Sequence, residues 1–155
     1  MKLTTRGKFA VTALLDMAIY GKEMPVNLFS ISERQGISLS YLEQLFVKLR
    51  RSGIVRSAKG PGGGYSFIHQ LEQVKLSEIV RAVDEDFDAR GCRGLKNCTN
   101  DRKCLTHDLW DDLTKHVYSY LDTVTLKDLH DKSINESSQN IVFTKNIINK
   151  VGAKI

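Results

Sequence analysis

Apolar side chains recur at helical spacing through the first fifty residues of the chain. Over residues 5–20 they fall on one helical face, which comprises Phe9, Ala13, Leu14, Met17 and Ala18. Gly21 follows directly, as is common at the end of a helix. Residues 27–35 repeat the helical pattern, and Gly36 then permits a tight turn. The pattern predicts two helices, with a glycine turn after the second.

A third helix is predicted directly after this turn. Ser38 can accept a backbone N–H and so cap its start. Its buried side is predicted to consist of Leu42, Leu45, Phe46 and Leu49. Two helices that cross over a short turn containing glycine have the spacing of a helix-turn-helix motif.

Two short β-type runs follow, at residues 54–57 and 65–68, on either side of a glycine-rich turn. They predict a β-hairpin, and a hairpin after the third helix is the wing of a winged helix-turn-helix domain. The alternative for Gly60–Gly64 is a loop that cradles a nucleotide phosphate. That alternative is disfavoured, because the Gly-Lys-Ser/Thr ending is absent and no helix start follows directly.

The second half of the chain contains a long amphipathic helix. A short helix is predicted over 71–84, and the long one opens near Lys103. Its apolar stripe comprises Leu105, Leu109, Leu113, Val117, Leu121 and Val124, with Trp110 and Tyr120 beside it. Packing onto its own domain explains part of so wide a face, and pairing with a second copy explains the rest. Two copies related by a two-fold axis would present two recognition helices to a palindromic DNA site.

These elements predict a mainly α fold with a small β-hairpin wing. The predicted domains are a winged helix-turn-helix DNA-binding domain over 1–84, a cysteine-rich loop over 85–103, a dimerisation helix with a short terminal helix over 104–132, and a largely disordered tail over 133–155. The 155 residues, 41% of them apolar, suffice for one moderate core. We expect a cytoplasmic protein that does not insert into a membrane, because no apolar run could span a bilayer and the first residues do not resemble a signal peptide.

The distribution of charge indicates that the first half of the chain binds a polyanion. Residues 1–69 contain ten Lys and Arg against four Asp and Glu, whereas residues 70–134 contain ten against thirteen. A solvated surface alone would also accommodate this imbalance. Together with the helix-turn-helix spacing, it favours binding to double-stranded DNA.

The start of the third helix is the predicted reader of DNA sequence, through Ser40, Tyr41, Glu43 and Gln44. Gln44 can pair with adenine, and Glu43 can accept from cytosine N4, which would make it a discriminator between bases. The alternative for Glu43 is a capping box with Ser40, if the helix starts two residues later. The remaining predicted DNA contacts are Arg6, Ser38, Lys48, Arg50, Arg51, Arg56, Lys59, Gly60 and Gly62.

Four potential metal ligands lie within sixteen residues: Cys92, Cys98, Cys104 and His107. The chain has no other cysteine, and the odd number argues against a disulfide framework. Thiolates and imidazole together favour iron-sulfur or zinc centres. Structural zinc sites usually include two ligands two to four residues apart, whereas the first two gaps here are five residues, so zinc is disfavoured but stays an alternative. A cysteine nucleophile paired with His107 would make an enzyme, but no oxyanion site is apparent, and we predict no catalytic activity.

The stretches Thr4–Val11, Ile31–Leu45, Gly60–Tyr65 and Cys104–His107 together resemble the IscR family of bacterial iron-sulfur cluster regulators. The resemblance covers about residues 1–132 and joins a winged helix to the cysteine loop. It implies a homodimeric transcription factor with one [2Fe-2S] cluster per subunit, bound by the three cysteines and His107. It further implies that the loaded form represses the operon for iron-sulfur cluster assembly and receives its cluster from assembly proteins. A structural zinc site, or a redox or nitric oxide sensor of the same family, is the alternative.

Overall fold

The computed structural model describes residues 5–21, 24–83, 89, 92, 94–99 and 102–136. Within them the fold is mainly helical with one two-stranded antiparallel hairpin, as predicted. The elements in chain order are α1 (Thr5–Tyr20), α2 (Leu28–Gln35), α3 (Leu39–Arg51), β1 (Val55–Ala58), β2 (Gly64–Phe67), a 3-10 turn (Leu71–Gln73), α4 (Leu76–Ala82), α5 (His107–Thr123) and α6 (126–136). No helix among these residues combines the length and apolar character needed to cross a bilayer.

The turn between α2 and α3 follows directly from its residue types. The side chain of Asn27 accepts from the Phe29 N–H at 2.8 Å and caps the start of α2. Gly36 ends α2 with a φ of 64°, a left-handed conformation that favours glycine, and its N–H donates to the Ser32 carbonyl at 2.9 Å. Ile37 is buried beneath the turn. The helix-turn-helix geometry is therefore set by a cap at the start of α2 and by two adjacent residues, Gly36 and Ile37, at its turn.

The predicted cap of α3 is wrong in its detail. The Ser38 side chain makes no capping hydrogen bond, and instead the Ser38 carbonyl accepts from the N–H groups of Tyr41 and Leu42, both at 3.1 Å. Because the Ser38 hydroxyl is exposed, solvent can satisfy it without a backbone donor. α3 begins at Leu39, so Ser40 lies inside the helix and the alternative capping box with Glu43 does not form.

One core lies between the first four helices and the hairpin. Its largest fully buried side chains include Leu14, Met17, Ile31, Leu42, Phe46, Leu49, Val55, Ile79, Val83 and Leu126. The predicted inward residues of α3 are all among the buried ones. Leu126 extends this core to the start of α6, so the last helix is anchored on the DNA-binding half of the chain.

A buried ion pair fastens α1 to α2. Asp16 is 2% exposed and accepts from Arg34 through Nε at 3.0 Å and Nη2 at 2.6 Å. Gln35 donates to the same carboxylate at 2.7 Å, and the Arg34 guanidinium lies 4.4 Å from the centre of the Tyr20 ring. The Asp16 carboxylate raises the pKa of Arg34. The sequence analysis missed this pair.

The wing pairs Val55 with Phe67 at one end and Ala58 with Gly64 at the other. It is anchored to the chain before α2, because Val26 and Tyr65 exchange two backbone hydrogen bonds of 2.8 Å. A Cβ on Gly64 would lie 2.4 Å from the Val26 carbonyl oxygen, which explains glycine at this close approach. The hairpin strands begin within one residue of the predicted runs.

The downstream helices differ from the predicted ones at their ends. The predicted helix over 71–84 is a 3-10 turn and the short α4, because residues 74–75 are extended and Lys75 pairs with Thr125 in an isolated β-bridge. α5 begins at His107 rather than near Lys103, since residues 105–106 form a turn. α6 runs through residue 136, into the first part of the predicted tail, and the rest of that tail lies outside the described residues.

Candidate metal centre and nucleic-acid interface

Three of the four predicted metal ligands converge on one point. The Nδ1 atom of His107 lies 3.6 Å from the Sγ of Cys92 and 3.2 Å from the Sγ of Cys98. All three donor atoms lie within 4.8 Å of one another. Cys92 and His107 are buried, whereas Cys98 is exposed. The centre therefore has two ligands inside the fold and one at its surface.

Local turns bring these donors together. His107 is the first residue of α5, and its N–H donates to the Cys104 carbonyl at 3.2 Å. Two backbone hydrogen bonds of 3.0 and 2.9 Å between Thr99 and Arg102 reverse the chain between Cys98 and Cys104. Each interval between successive ligands thus contains a backbone hydrogen bond typical of a turn, and these turns make the loop compact.

Cys104 is half-buried and lies beside this group rather than within it. Its thiol lies 3.8 Å from the Thr106 hydroxyl, and Cys98 and Cys104 are close enough to influence each other's pKa. The fourth predicted ligand is therefore adjacent to the centre through Cys98.

Mutual hydrogen bonds set opposite pKa shifts on the three thiols. Burial alone would raise the pKa of Cys92, but hydrogen bonds from Cys98 and from the Lys96 and Gly94 backbone outweigh it and lower that pKa. A hydrogen bond from Cys98 also lowers the pKa of Cys104, against a burial penalty. The Cys104 backbone favours the Cys98 thiolate, but the two neighbouring sulfurs outweigh it, so the pKa of Cys98 is raised. The lowered pKa values of Cys92 and Cys104 favour the thiolate, which is the form in which cysteine binds metals.

The donor set fits a metal or a metal cluster. Tetrahedral bonds of about 2.3 Å to sulfur and about 2.0 Å to nitrogen separate two ligands of one metal by roughly 3.6 Å. The sulfur to Nδ1 distances of 3.6 and 3.2 Å are close to this separation. Soft thiolates with one imidazole suit iron-sulfur and zinc centres alike.

A buried threonine on α5 anchors the entry to the loop. The Thr114 hydroxyl accepts from the Ala89 backbone N–H at 3.1 Å and donates to the Trp110 carbonyl at 2.8 Å. Thr114 is only 5% exposed. Ala89 precedes Cys92 by three residues, so the anchor restrains the approach to the first ligand. Thr114 lies next to Leu113 and outside the predicted apolar stripe, so no pattern in the sequence indicated this anchor.

The predicted DNA-contacting residues of α3 share its exposed side. Ser40, Glu43 and Gln44 are exposed and occupy adjacent turns, opposite the buried apolar residues. Lys48 and Arg51 follow on the same side at four-residue and seven-residue spacing from Gln44. Tyr41 differs, because it is half-buried and its ring packs edge-on against Phe9 at 5.8 Å. The exposed side of α3 is therefore polar and basic along its whole length.

The remaining predicted contacts lie around this helix and on the wing. Arg6, Ser38 and Arg50 are exposed, and Arg50 donates to the Ser57 hydroxyl on β1 at 3.5 Å. The exposed wing residues are Arg56, Lys59, Gly60 and Gly62, and the two glycines have φ values of 95° and 78°. The wing tip thus presents backbone and Lys59 to solvent, and Arg56 adds a second exposed cation on β1.

Comparison with known proteins identifies the family. A model of the Rrf2 family, described as an iron-dependent transcriptional regulator, matches residues 3–132. The chain belongs to the Rrf2 family.

Individual Rrf2 relatives support a narrower grouping. The HTH-type transcriptional regulator IscR of Aliivibrio salmonicida is 45% identical over 166 residues, covering all of this chain and 99% of that protein. IscR of Vibrio atlanticus is 50% identical over 129 residues, covering 83% of this chain and 75% of that protein. Both are transcriptional regulators, not enzymes, as the sequence analysis predicted for this chain.

Solved Rrf2-type structures share the fold. T. potens IscR superposes with a TM-score of 0.70 at 33% identity, covering 86% of this chain and 88% of that one. CymR, the global cysteine regulator of B. subtilis, gives a TM-score of 0.72 at 28% identity, covering 85% and 98%. The chain is therefore an IscR-type helix-turn-helix transcriptional regulator of the Rrf2 family, and it acts on DNA.

Proposed function

We propose that this Rrf2 regulator senses iron-sulfur cluster status through a [2Fe-2S] cluster bound by Cys92, Cys98, Cys104 and His107, one per subunit. The loaded homodimer represses the operon for iron-sulfur cluster assembly. The observation that supports this most directly is the convergence of the Cys92, Cys98 and His107 donor atoms within 4.8 Å. The resemblance to IscR relatives supports the choice of cluster.

The donor set suits a sensor cluster. Three thiolates and one imidazole leave a diiron cluster less negative than four thiolates do, which raises its reduction potential relative to plant-type ferredoxins. Imidazole is also the exchangeable member of such a set, so the cluster can be lost when supply falls. Zinc is the second candidate, because three cysteines and one histidine also form a closed tetrahedral site around a single metal.

The described part of the loop has little apolar packing of its own. Leu95 and Leu105 are both largely exposed, and among the described residues from 92 to 106 the buried side chain is Cys92. Ligand binding therefore supplies much of the free energy that orders this segment. Such a segment can respond to the presence of the cluster.

The exposed apolar side of α5 supports a homodimer. Leu109 is 61% exposed and Tyr120 is 67% exposed, and Leu113 lies between them on the same side. An exposed apolar strip of this length is typical of an interface. Two copies would then place two α3 helices on a palindromic promoter site. In this proposal residues 1–84 bind DNA, 85–103 form the cysteine-rich loop with Cys92 and Cys98, 104–132 supply Cys104 and His107 and dimerise, and 133–155 form a tail.

The DNA contacts are proposed to divide into two kinds. Ser40, Glu43 and Gln44 contact base edges, and Glu43 discriminates between promoters by accepting from cytosine. The exposed basic side chains contact phosphates, and comprise Arg6, Lys48, Arg50, Arg51, Arg56 and Lys59. Because the protein acts on chromosomal DNA, we place it in the cytoplasm, with cluster-assembly proteins as its donors.

The first experiment is anaerobic purification followed by visible absorption and by analysis of iron, sulfide and zinc. We expect a red-brown protein with about two irons and two sulfides per chain. A colourless protein with one zinc would replace the sensor by a winged-helix regulator with a structural metal. The two metals thus give opposite and easily separated results.

The second experiment compares promoter binding by the loaded wild type and by Cys92→Ala. If the cluster governs the choice of DNA, the variant loses binding to the assembly-operon promoter and keeps cluster-independent promoters. Equal binding of both proteins to every promoter would contradict cluster sensing. Ser119→Ala, on the exposed polar side of α5, is the control for purification and handling.

A further inference from the structure

The end of α5 opposite His107 is fastened to the DNA-binding domain by contacts outside the metal site. Ser77 on α4 is fully buried, and its hydroxyl donates to the half-buried Asp122 carboxylate on α5. One turn along each helix, the Arg81 guanidinium lies over the Tyr118 ring at 4.7 Å. We call these two side-chain pairs the α4–α5 joint.

Backbone hydrogen bonds reinforce the joint at its edge. The Leu76 N–H donates to the Val124 carbonyl at 3.0 Å, and the Leu126 N–H donates to the Val74 carbonyl at 2.8 Å. Leu126 itself is fully buried in the core. The carboxyl end of α5 is therefore held to the start of α4 by main chain as well as side chains.

α4 belongs to the DNA-binding domain. It packs against α1 and α3, and its Ile79 and Val83 are fully buried in the same core as Leu42 and Leu49 of α3. A displacement of α4 is therefore transmitted to the recognition helix, because a close-packed core resists independent movement of its parts.

The metal ligand and the joint lie on the same face of α5. His107, Thr114, Tyr118 and Asp122 are spaced seven, four and four residues apart, which places them along one side of a helix. His107 and Asp122 are separated by fifteen residues, or about 22 Å of helix. A rotation of α5 imposed at His107 reaches Asp122 on the face that contacts α4.

We infer that Ser77 and Asp122 are positioning residues that couple the metal site to DNA binding through α5. Among the hydrogen bonds described, the side chains of Ser77 and Asp122 bond each other, and neither residue is a predicted metal ligand or DNA contact. Their hydrogen bond converts the orientation of α5 into the orientation of α4, and hence of α3. This inference rests on the proposed function, since it requires that loading of the metal site alters DNA affinity.

The test measures the dissociation constant for one promoter duplex with loaded and chelator-treated protein. We expect a wild-type ratio between about 5-fold and 150-fold, the usual range of coupling between two sites. In Ser77→Ala and Asp122→Ala the ratio falls to about twofold or less, while iron and sulfide per chain stay at the wild-type level. Asp122→Asn retains most of the ratio, because its amide oxygen still accepts from the Ser77 hydroxyl.

Asp112→Ala is the matched control, since Asp112 is an exposed carboxylate on α5 that contacts only Lys115 at 3.7 Å among the ion pairs described. A wild-type ratio in both alanine variants overturns the inference while leaving cluster sensing intact. A ratio of one in the wild type refutes cluster sensing itself. Cluster loss from both variants also overturns the inference, because the pair would then stabilise the site. If Ser77→Ala does not fold, the two Asp122 variants decide the question. The inference then requires a ratio of about twofold or less in Asp122→Ala and a ratio near the wild-type value in Asp122→Asn.

Discussion

Asp16 shows how a single residue fixes the relation between two helices. Its side chain is fully buried within an apolar helical face, where an ionised carboxylate is costly without partners. Arg34 and Gln35 supply those partners from the end of α2, just before the turn into the recognition helix. The position of α2, the first helix of the helix-turn-helix motif, against α1 therefore depends on one carboxylate in the second half of α1.

We predict that Asp16→Asn lowers the free energy of unfolding by about 2 to 3 kcal/mol, somewhat less than the loss of one partner from a fully buried ion pair. The expected loss is smaller than for a fully buried pair because the Arg34 side chain is 30% exposed, so water can partly solvate it once its partner is neutral. Denaturant unfolding measures the change. Asp131→Asn, at a surface pair with Lys127, should cost less than about 1 kcal/mol. Equal losses in the two variants would show that the Asp16 pair has no special role.

At the same scale, Gln44→Ala and Lys59→Ala should weaken DNA binding in different ways. We expect Gln44→Ala to relax discrimination at one base pair by about 1 to 3 kcal/mol, because it removes a base contact. Lys59→Ala should weaken binding to all sequences and reduce the salt slope by about one, because it removes a phosphate contact. Titrations of matched and mismatched duplexes at several salt concentrations separate the two. A Lys59 effect confined to one sequence would contradict this assignment.

Among the elements, the wing depends most on close backbone packing. Its second strand approaches the chain before α2 so closely that Gly64 has no room for a side chain. The Tyr65 ring also packs on Phe46 with ring centres 4.8 Å apart, so the wing is attached to α3 through the core. Wing and recognition helix therefore form one unit.

We predict that Gly64→Ala destabilises the protein by about 3 kcal/mol or more, because the added methyl group meets the Val26 carbonyl. Gly62→Ala is the control. It also changes a wing glycine, but its Cβ meets open space, and the cost is that of a left-handed φ, about 1 to 2 kcal/mol. Thermal and denaturant unfolding give both values. A smaller loss for Gly64→Ala than for Gly62→Ala would contradict the packing argument.

The second element-level prediction concerns the anchor on α5. Thr114→Val keeps the shape of the side chain but leaves the Ala89 N–H without its acceptor. We expect metal retention against a chelator to fall about tenfold, a typical effect of outer-shell changes. Thr123→Val is the control, because the exposed Thr123 hydroxyl bonds only the Tyr120 carbonyl of its own helix among the contacts described. Unchanged retention in Thr114→Val would show that the anchor does not hold the loop.

For the whole molecule, the exposed apolar strip on α5 is the surface proposed to form the homodimer. Within the described residues, His107 and Thr114 of α5 are buried, and Tyr118 and Asp122 of the joint are half-buried on the same side. On a neighbouring side of the helix, Leu109, Leu113 and Tyr120 are exposed to solvent. A second copy covers such a strip by symmetry, with the same residues on both sides of the interface. The DNA-binding unit is then a pair of chains.

We predict that Leu109→Lys with Leu113→Lys converts the protein to a monomer, because like charges would face one another across the two-fold axis. Light scattering after size-exclusion chromatography measures the mass. Affinity for a full palindromic site should fall at least about tenfold. In a dimer, binding of one copy holds the second copy next to its half-site, and monomers lose this gain. Ser119→Lys lies on the exposed polar side and should leave the dimer intact. A double variant that remains dimeric would place the interface elsewhere.

The sequence predicted those features that depend on neighbours along the chain. Apolar periodicity gave the bounds of α1, and cysteine spacing brought together Cys92, Cys98 and His107. The pairs Asp16–Arg34 and Ser77–Asp122 could not be predicted, because their partners lie eighteen and forty-five residues away and nothing local specifies them. The start of α5 was missed because apolar spacing continues through Leu105, whereas the chain there forms a turn that positions the ligands.

The position of His107 as both a donor and the first residue of α5 has a further consequence, in polymer terms. A metal shared by Cys92 and His107 closes a ring of sixteen residues, in the same way as a crosslink. In the chain-entropy model, closing a ring of about fifteen residues disfavours the unfolded state by about 3 kcal/mol, before any bond enthalpy is counted. A metal that binds the folded chain in preference to the unfolded one would also raise the melting temperature by mass action, so that temperature would report the metal supply.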